Sequence, residues 1–479
     1  MTQTEKRLLW AIVLVGFVCR LAWALYARGE PPVDWYRSGD EFSYYYYGRE
    51  IALGHGYISY VTDQATAYFP IGYPAILGAL YFVVLHTPLP DDLLLATSLL
   101  HVVVSTLSIG LLFIVGRRIA SVRVGLFAAA LLAVFPNMIF QVATVQLETI
   151  FTFLVLAALV VIVDHDWSAG PPTVRRLMAF GAALGVAVLV RPFAAVLLLG
   201  LAGALASLRM HWRRATTVIA IPITVVVALS IPWTIRNAIQ MDAFVVSSTN
   251  MGDTLCIDRN SDATGGFRIA NHDGCVDPNL PEVERNRGNT KKAVQWVVHN
   301  PGRELLQIGR RARVMFASDH DGIYAVQTLG GGAFLPASVV DVAEPTADWY
   351  FFVLLALAVV GAPQLASRTR RPERLLVASG LLGLLMIPLL LWGNPRFHLP
   401  LAPFLTLAAA LALDDGWTRW AGWRSHSRST TTRNGRVPAA SSPPTGTATT
   451  SLAVRFVMES APGRSDSVLR AQTSPRPAS

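Results

Sequence analysis

The sequence predicts an all-α polytopic membrane protein, and three observations carry that reading. Apolar residues make up 53% of the 479-residue chain and charged residues 15%, with a mean hydropathy of +0.43, a balance foreign to a soluble domain of this length. Apolar stretches recur along the chain, the longest of them sufficient to cross a hydrocarbon layer about 30 Å thick. Arg and Lys gather in the short segments between those stretches, as cytoplasmic loops require.

In chain order the apolar stretches are Leu8–Tyr26, Leu93–Val115, Val124–Phe140, Thr149–Val163, Leu177–Val190, Phe193–Leu208, Thr216–Trp233, Trp349–Leu365, Leu375–Trp392 and Phe397–Leu413. They predict about ten or eleven transmembrane helices, the shorter ones tilted or paired across a break. Leu8–Tyr26 lacks a small-residue cleavage site and reads as a retained anchor. Positive clusters at Lys6/Arg7, Arg117/Arg118/Arg123, Arg175/Arg176, Arg209/Arg213/Arg214 and Arg368/Arg370/Arg371/Arg374 are assigned to the cytoplasm. That choice puts the first loop, Glu148, the Arg191 turn, the 235–347 loop and the Asn394–His398 turn outside. Gly72–Leu85 breaks the alternation if it is a full span, so it is either re-entrant or a span that the charge rule misplaces.

Four regions follow. They are an N-terminal membrane module, 1–234, containing an acidic first outer loop at 28–71; a large outer loop, 235–347; C-terminal membrane helices, 348–415; and a disordered basic tail, 416–479. The tail holds nine Arg against two acids, which accounts for most of the net charge of +9. Its Ser, Thr, Pro and Arg cannot bury enough surface to fold. Excess charge in a cytoplasmic tail suits lipid headgroups rather than nucleic acid, and a tolerated tail with no role is the plainer reading. In the outer loop, residues 244–267 carry turn signals and predict irregular chain with a short hairpin. Pro281–Phe316 predicts two amphipathic helices broken at Asn300-Pro301, lying on the membrane with Lys291, Lys292, Arg303, Arg310, Arg311 and Arg313 on their polar faces. Cys256 and Cys275 are a disulfide candidate if this loop faces an oxidising compartment, and Cys19 reads as apolar filler.

Chemistry needs polar groups gathered at one membrane depth. Asp40 and Glu41 open the stretch GDEFSYYYYGRE just beyond the first span, and acids are costly there without a use. Glu148 begins an apolar span, Arg191-Pro192 interrupts an apolar hairpin, and NPRFHLP brings Arg396 and His398 to the last outer turn. Carboxylates and cations on one face suit a substrate that is both nucleophile and phosphate ester. Singly, each has a plainer reading, such as a Glu148–Arg191 ion pair or a snorkelling Arg396.

The acidic pair after the first span, the YFPIGYP turn at Tyr68–Pro74, the Leu147-Glu148 start of a span, the interior Arg191-Pro192 and Arg396-Phe397 together resemble the GT-C glycosyltransferases. More narrowly they are similar to the family-39-like branch that includes protein O-mannosyltransferases and lipid A aminoarabinose transferases. The resemblance covers about residues 1–415. It implies a bacterial plasma-membrane enzyme that takes a sugar from a polyprenyl-phosphate carrier and passes it, with inversion, to a protein, lipid or glycan acceptor outside the cell. It further implies Asp40 as general base and Glu41 as its neighbour, orienting the acceptor or raising the proton affinity of Asp40. Arg191, Arg396, Arg236 and Lys291 are implied to bind donor phosphate, and Glu148, Tyr44, Tyr45, Tyr73 and His398 to contact acceptor or sugar. No metal is expected to be required, since adjacent Asp and Glu chelate one ion poorly, although a divalent cation is compatible with the family. A transporter of lipid-linked sugars, or a non-catalytic assembly factor, is the alternative. The first predicts an internal repeat and charges inside spans; no repeat is found, and the polar candidates cluster at the outer ends.

Overall fold

A computed structural model describes residues 1–27, 35–88, 92–267, 280–328, 335–367 and 371–433. The elements are α1 (Gln3–Tyr26), α2 (Trp35–Ala52), α3 (Gly72–Leu85), α4 (Leu93–Ile119), α5 (Val122–Ala133), α6 (Pro136–Phe140), α7 (Glu148–Val163), α8 (Val174–Val190) and α9 (Leu197–Ser207). They continue with α10 (Trp212–Met241), α11 (Met251–Cys256), α12 (Glu282–His299), α13 (Pro301–Met315), α14 (Asp321–Thr328), α15 (Ala337–Ser367), α16 (Pro372–Leu390) and α17 (Ala402–Arg433). Residues Met1–Gly422 form one compact unit. Of the second, Trp423–Ser479, only the end of α17 is described.

Each of the ten apolar stretches is helical. Among the described residues α1, α4, α10, α15 and the segment Pro395–Ala421 are long and apolar enough to cross a membrane, and α5 with α6 forms a sixth candidate bent by 60°. Gly72–Leu85, Glu148–Val163 and Pro192–Ser207 are shorter apolar helices. Burial separates the central helices from the lipid-facing ones. The apolar windows of α4 and Pro395–Ala421 are 61% and 78% buried, whereas that of α1 is 17% buried and leaves Leu8, Trp10, Leu14 and Val18 exposed. Exposed apolar area on that scale is lipid-facing surface.

Arg20 in α1 is fully buried and makes no ion pair among the described residues. Its guanidinium donates to the carbonyls of Leu132 (3.0 Å) and Ala133 (2.8 Å), where α5 ends, and to Ser105 Oγ (2.7 Å). Those carbonyls are the electron-rich end of α5, so the cation is favoured there and braces the break. Trp23 Nε1 bonds the carbonyl of Phe140 at 3.0 Å and holds the far side of the bend.

The outer loop departs from expectation in two places. Residues 251–256 form α11, and no strand occurs among the described residues of 244–267, where Gly266 makes only a single bridge to Gly393. The break at Asn300-Pro301 falls between α12 and α13 as predicted. Arg311, however, is buried rather than on a polar face. It binds Asp258 and, at 2.7 Å, Glu304, while Arg259 meets Glu304 at 2.8 Å. The helical period alone could not reveal this, because Asp258 comes from a distant segment. The tail is also shorter than read, since α17 runs on to Arg433: extending an anchored helix costs no nucleation. Residues 434–479, Arg368 and Arg370 lie outside the described residues.

Candidate active site

The acidic stretch after α1 is a helix rather than a loop. α2 bends at Gly39, whose φ of 56° and ψ of −133° are accessible to glycine and strained for any side chain. Asp40 and Glu41 follow the bend and part company. The Asp40 side chain is 31% exposed and lines a cavity of about 200 Å³, whereas Glu41 is buried and does not line it. Tyr44 and Tyr47, one turn apart, are buried on the same helix face.

Two guanidiniums reach the cavity from opposite directions. Pro192 ends α8 and forces Arg191 into extended backbone, so its side chain leaves the helix axis. Arg396 is set by a tight turn in which Asn394 Oδ1 accepts from the Arg396 amide at 2.9 Å. Glu148, in the first turn of α7 where helix amides favour an anion, lies between them. Arg191 Nη2 stands 2.9 Å from Glu148 Oε1, Arg396 Nε stands 3.6 Å from the same oxygen, and Arg396 Nη2 binds Asp40 Oδ2. Arg191, Glu148, Arg396 and Asp40 thus form one alternating chain of charge. Both cations also lie over the Phe397 ring, at 5.5 and 5.7 Å. Arg396 Nε and Glu148 Oε2 have no hydrogen-bond partner among the described residues.

Glu41 receives an amide hydrogen bond from Gln146 Nε2 on its Oε1. Burial pushes its carboxyl up to about 8, with Arg396 opposing and Asp40 adding to the rise. At neutral pH it therefore carries a proton. The expectation of a like charge acting on Asp40 gives way to a neutral, buried prop.

The other anticipated residues distribute as follows. Tyr44 lines the cavity, and Tyr73 is fully buried behind it in an edge-to-face contact at 5.0 Å, with its hydroxyl 3.2 Å from His101 Nε2. Tyr45 packs on Tyr81 at 6.0 Å, away from the lining. Arg236 is also away from it. Its guanidinium donates to the carbonyls of Tyr57 (2.6 Å) and Thr66 (2.7 Å) over the Trp233 ring, tying α10 to the first loop. Lys291 borders a separate open groove beside Asp242, Glu284 and Arg287. Cys256 is buried and disulfide-bonded, Cys19 is free, and Cys275 lies outside the described residues.

His398 is fully buried behind the site and stacked on Phe351 at 4.4 Å. Its Nδ1 must donate to the Met315 carbonyl at 2.7 Å, so the 2.7 Å contact between Nε2 and Asp319 Oδ1 contains one shared proton. Asn137 Nδ2 donates to the same Asp319 oxygen, and burial pushes the Asp319 carboxyl upward. Asp321, pushed up to about 6 by burial against the pull of Arg396, takes a 3.4 Å bond from Gln141 Nε2. These two acids escaped the sequence reading, although Asp319-His320-Asp321 is an acid pair just before a helix. Among the described residues no three His, Cys, Asp or Glu side chains group as metal ligands.

The roof of the cavity comes from the outer loop: Ser248, Asn250, Met251, Thr254 and Ile257 line it opposite Tyr68 and Phe69. Glu282 pins the roof to the first loop by accepting from Thr66 Oγ1 (2.6 Å), the Ala67 amide (2.9 Å) and Thr249 Oγ1.

Residues 74–235 match the family model for dolichyl-phosphate-mannose-protein mannosyltransferases. The archaeal oligosaccharyltransferase of Archaeoglobus fulgidus superposes in its apo form with a TM-score of 0.53 at 13% identity, covering 90% of this chain and 53% of that one. The same protein, AglB, in complex with an inhibitory peptide and a dolichol-phosphate superposes with a TM-score of 0.51 at 13% identity, covering 89% and 52%. The fold is shared with that archaeal oligosaccharyltransferase. This chain spans about half the length of the archaeal enzyme. No curated protein is detectably similar in sequence. The matched segment contains Glu148 and Arg191, while Asp40 and Arg396 come from outside it, so the candidate site draws on both sides of the matched segment.

Proposed function

We propose that the chain is a membrane glycosyltransferase that moves a sugar from a polyprenyl-phosphate carrier to an acceptor nucleophile on the outer face of a bacterial plasma membrane, with inversion. One observation carries the reading: a carboxylate from α2 and two guanidiniums from the α8–α9 and α16–α17 turns converge on a single cavity. In this reading Asp40 accepts the acceptor's proton while Arg191 and Arg396 hold the departing phosphate, where developing charge is greatest. Glu148 holds the two cations together. An apolar groove of about 660 Å³ between α9 and α16, with Leu199, Leu382 and Met386 on its walls, shares Pro192 and Phe193 with the cavity. It offers an isoprenoid tail a path from the lipid to the phosphate site.

The test is consumption of donor. Protein in lipid nanodiscs, incubated with a panel of radiolabelled polyprenyl-phosphate sugars and membrane extract as acceptor source, is expected to consume one of them. Asp40→Asn is expected to abolish consumption. Full turnover by Asp40→Asn, or simple movement of intact donor across the bilayer, would refute the proposal.

A further inference from the structure

Asp40 is engaged before any substrate arrives. Its Oδ2 is bound to Arg396 Nη2, so the base and the phosphate-binding cation of the proposed reaction are each other's partner. A carboxylate paired with a guanidinium is a weaker base, and a guanidinium paired with a carboxylate presents less net positive charge to a phosphate. A lipid phosphate therefore competes with Asp40 for Arg396.

The four-residue chain of charge indicates which acid yields. Glu148 sits between two cations and its side chain is 2% exposed, so removing it would strand Arg191 and Arg396 together. Asp40 is the terminal member, with Arg396 as its one cation partner among the described residues, and its side chain is 31% exposed toward the cavity. It also follows the bend at Gly39, where α2 is interrupted and a side chain would meet nothing closer than Glu41 Oε2 at 3.7 Å. Arg396 Nε, moreover, lacks a hydrogen-bond partner among the described residues. Glu41 is no rival for the cation, being protonated and held by Gln146.

We infer that donor binding switches on the base: the lipid-linked phosphate displaces Asp40 from Arg396, and only then is the carboxylate free to take the acceptor's proton. This inference rests on the transferase reading given above. The reaction then balances. The acceptor O–H proton passes to Asp40, the acceptor oxygen bonds the sugar's anomeric carbon, and the carbon–oxygen bond to phosphate breaks. Its electron pair stays on the lipid phosphate, held by Arg191 and Arg396. Once Asp40 loses its proton it competes again for Arg396 and helps expel that product. Donor binds first, and an acceptor arriving early meets a base that is occupied.

The consequence is counterintuitive and measurable. Removing the catalytic carboxylate removes the phosphate's competitor, so an inactive variant should bind the lipid more tightly. Undecaprenyl phosphate is titrated into wild-type, Asp40→Asn, Asp40→Ser and Asp40→Glu protein in nanodiscs, with undecaprenol as the phosphate-free control. Asn and Ser variants are expected to bind undecaprenyl phosphate roughly tenfold more tightly than wild type, the scale of one partly exposed contact pair. Asp40→Glu, which keeps the charge, is expected to stay near wild-type affinity, and undecaprenol to bind all four alike. The ratio should persist in 1 M salt, where screening over about 3 Å removes through-space repulsion but not a contact. Equal or weaker binding by both neutral variants, with wild type still binding, overturns the switch and leaves the transferase reading standing. Failure of wild type to bind undecaprenyl phosphate at all overturns both.

Discussion

Glu41→Gln isolates a buried proton. The substitution keeps size and keeps an oxygen for the Gln146 amide, but cannot ionise. In the folded protein the Glu41 carboxyl titrates at about 8 against 4.5 for an unperturbed glutamate, chiefly because burial penalises the anion. A folded-state value above the unfolded one means the native protein holds more protons between those two pH values. Stability is accordingly full below pH 4.5, falls as pH rises, and levels off above about 8. The slope is about 1.4 kcal/mol per pH unit, so wild type should lose about 3 kcal/mol between pH 5.5 and 8 through this one group. Glu41→Gln should lose none of it. Thermal unfolding of both proteins in the same detergent, followed by intrinsic fluorescence at half-unit steps of pH, reads the difference directly. The two curves should run close together at pH 5.5 and separate by several degrees at pH 8, with the variant the more stable. Parallel curves across the range would mean that Glu41 is ionised in the folded state, and the account of it as a neutral prop would fail.

Two further outcomes follow from the geometry. Gly39→Ala places a side chain at φ 56°, ψ −133°, a strain on the order of 1–3 kcal/mol, and re-aims the residue that follows it. Donor turnover should fall by about 10- to 100-fold with only a small change in melting temperature, and unaltered turnover would show that the bend does not set Asp40. Arg311→Met leaves Asp258 buried without its cation and should destabilise the protein by about 3–5 kcal/mol, seen as a lowered melting temperature. Adding Asp258→Asn should restore part of the loss, and no recovery in the double variant would refute the pairing argument.

The Arg311 cluster matters beyond stability because it grips the segment that carries Arg396. Arg311 Nη1 reaches the carbonyl of Leu389 at 3.3 Å and Arg259 Nη2 that of Leu390, so two cations cap the electron-rich end of α16. Immediately beyond, the Gly393 amide donates to Gly265 O at 2.7 Å. A side chain at either glycine would collide with the Arg310–Arg311 backbone, which is why both must be glycine for the outer loop to approach the turn. The outer loop is thus both the roof of the cavity and the brace for one of its two cations.

The sequence by itself determined the class and the local grammar. Ten apolar runs gave helices because a backbone away from water must satisfy its own polar groups, and a helix does so within a single run. Pro192, Pro301 and the Asn394-Pro395 pair stopped or started helices where the missing amide required it. The acids and cations of the candidate site were legible as polar groups too costly to stand at the membrane edge without partners. Tertiary structure decided who partners whom. Asp40 and Glu41 are neighbours in the chain, yet one faces a cavity and the other is buried, because successive positions on a helix point about 100° apart and only one of the two directions meets the cavity. Arg191 and Arg396 look alike in sequence to Arg236 and Arg311, yet the first pair lines the cavity and the second pair is spent on carbonyls and buried acids. Asp40 and Arg396 lie 356 positions apart, and no local pattern encodes a contact between residues that only folding brings together.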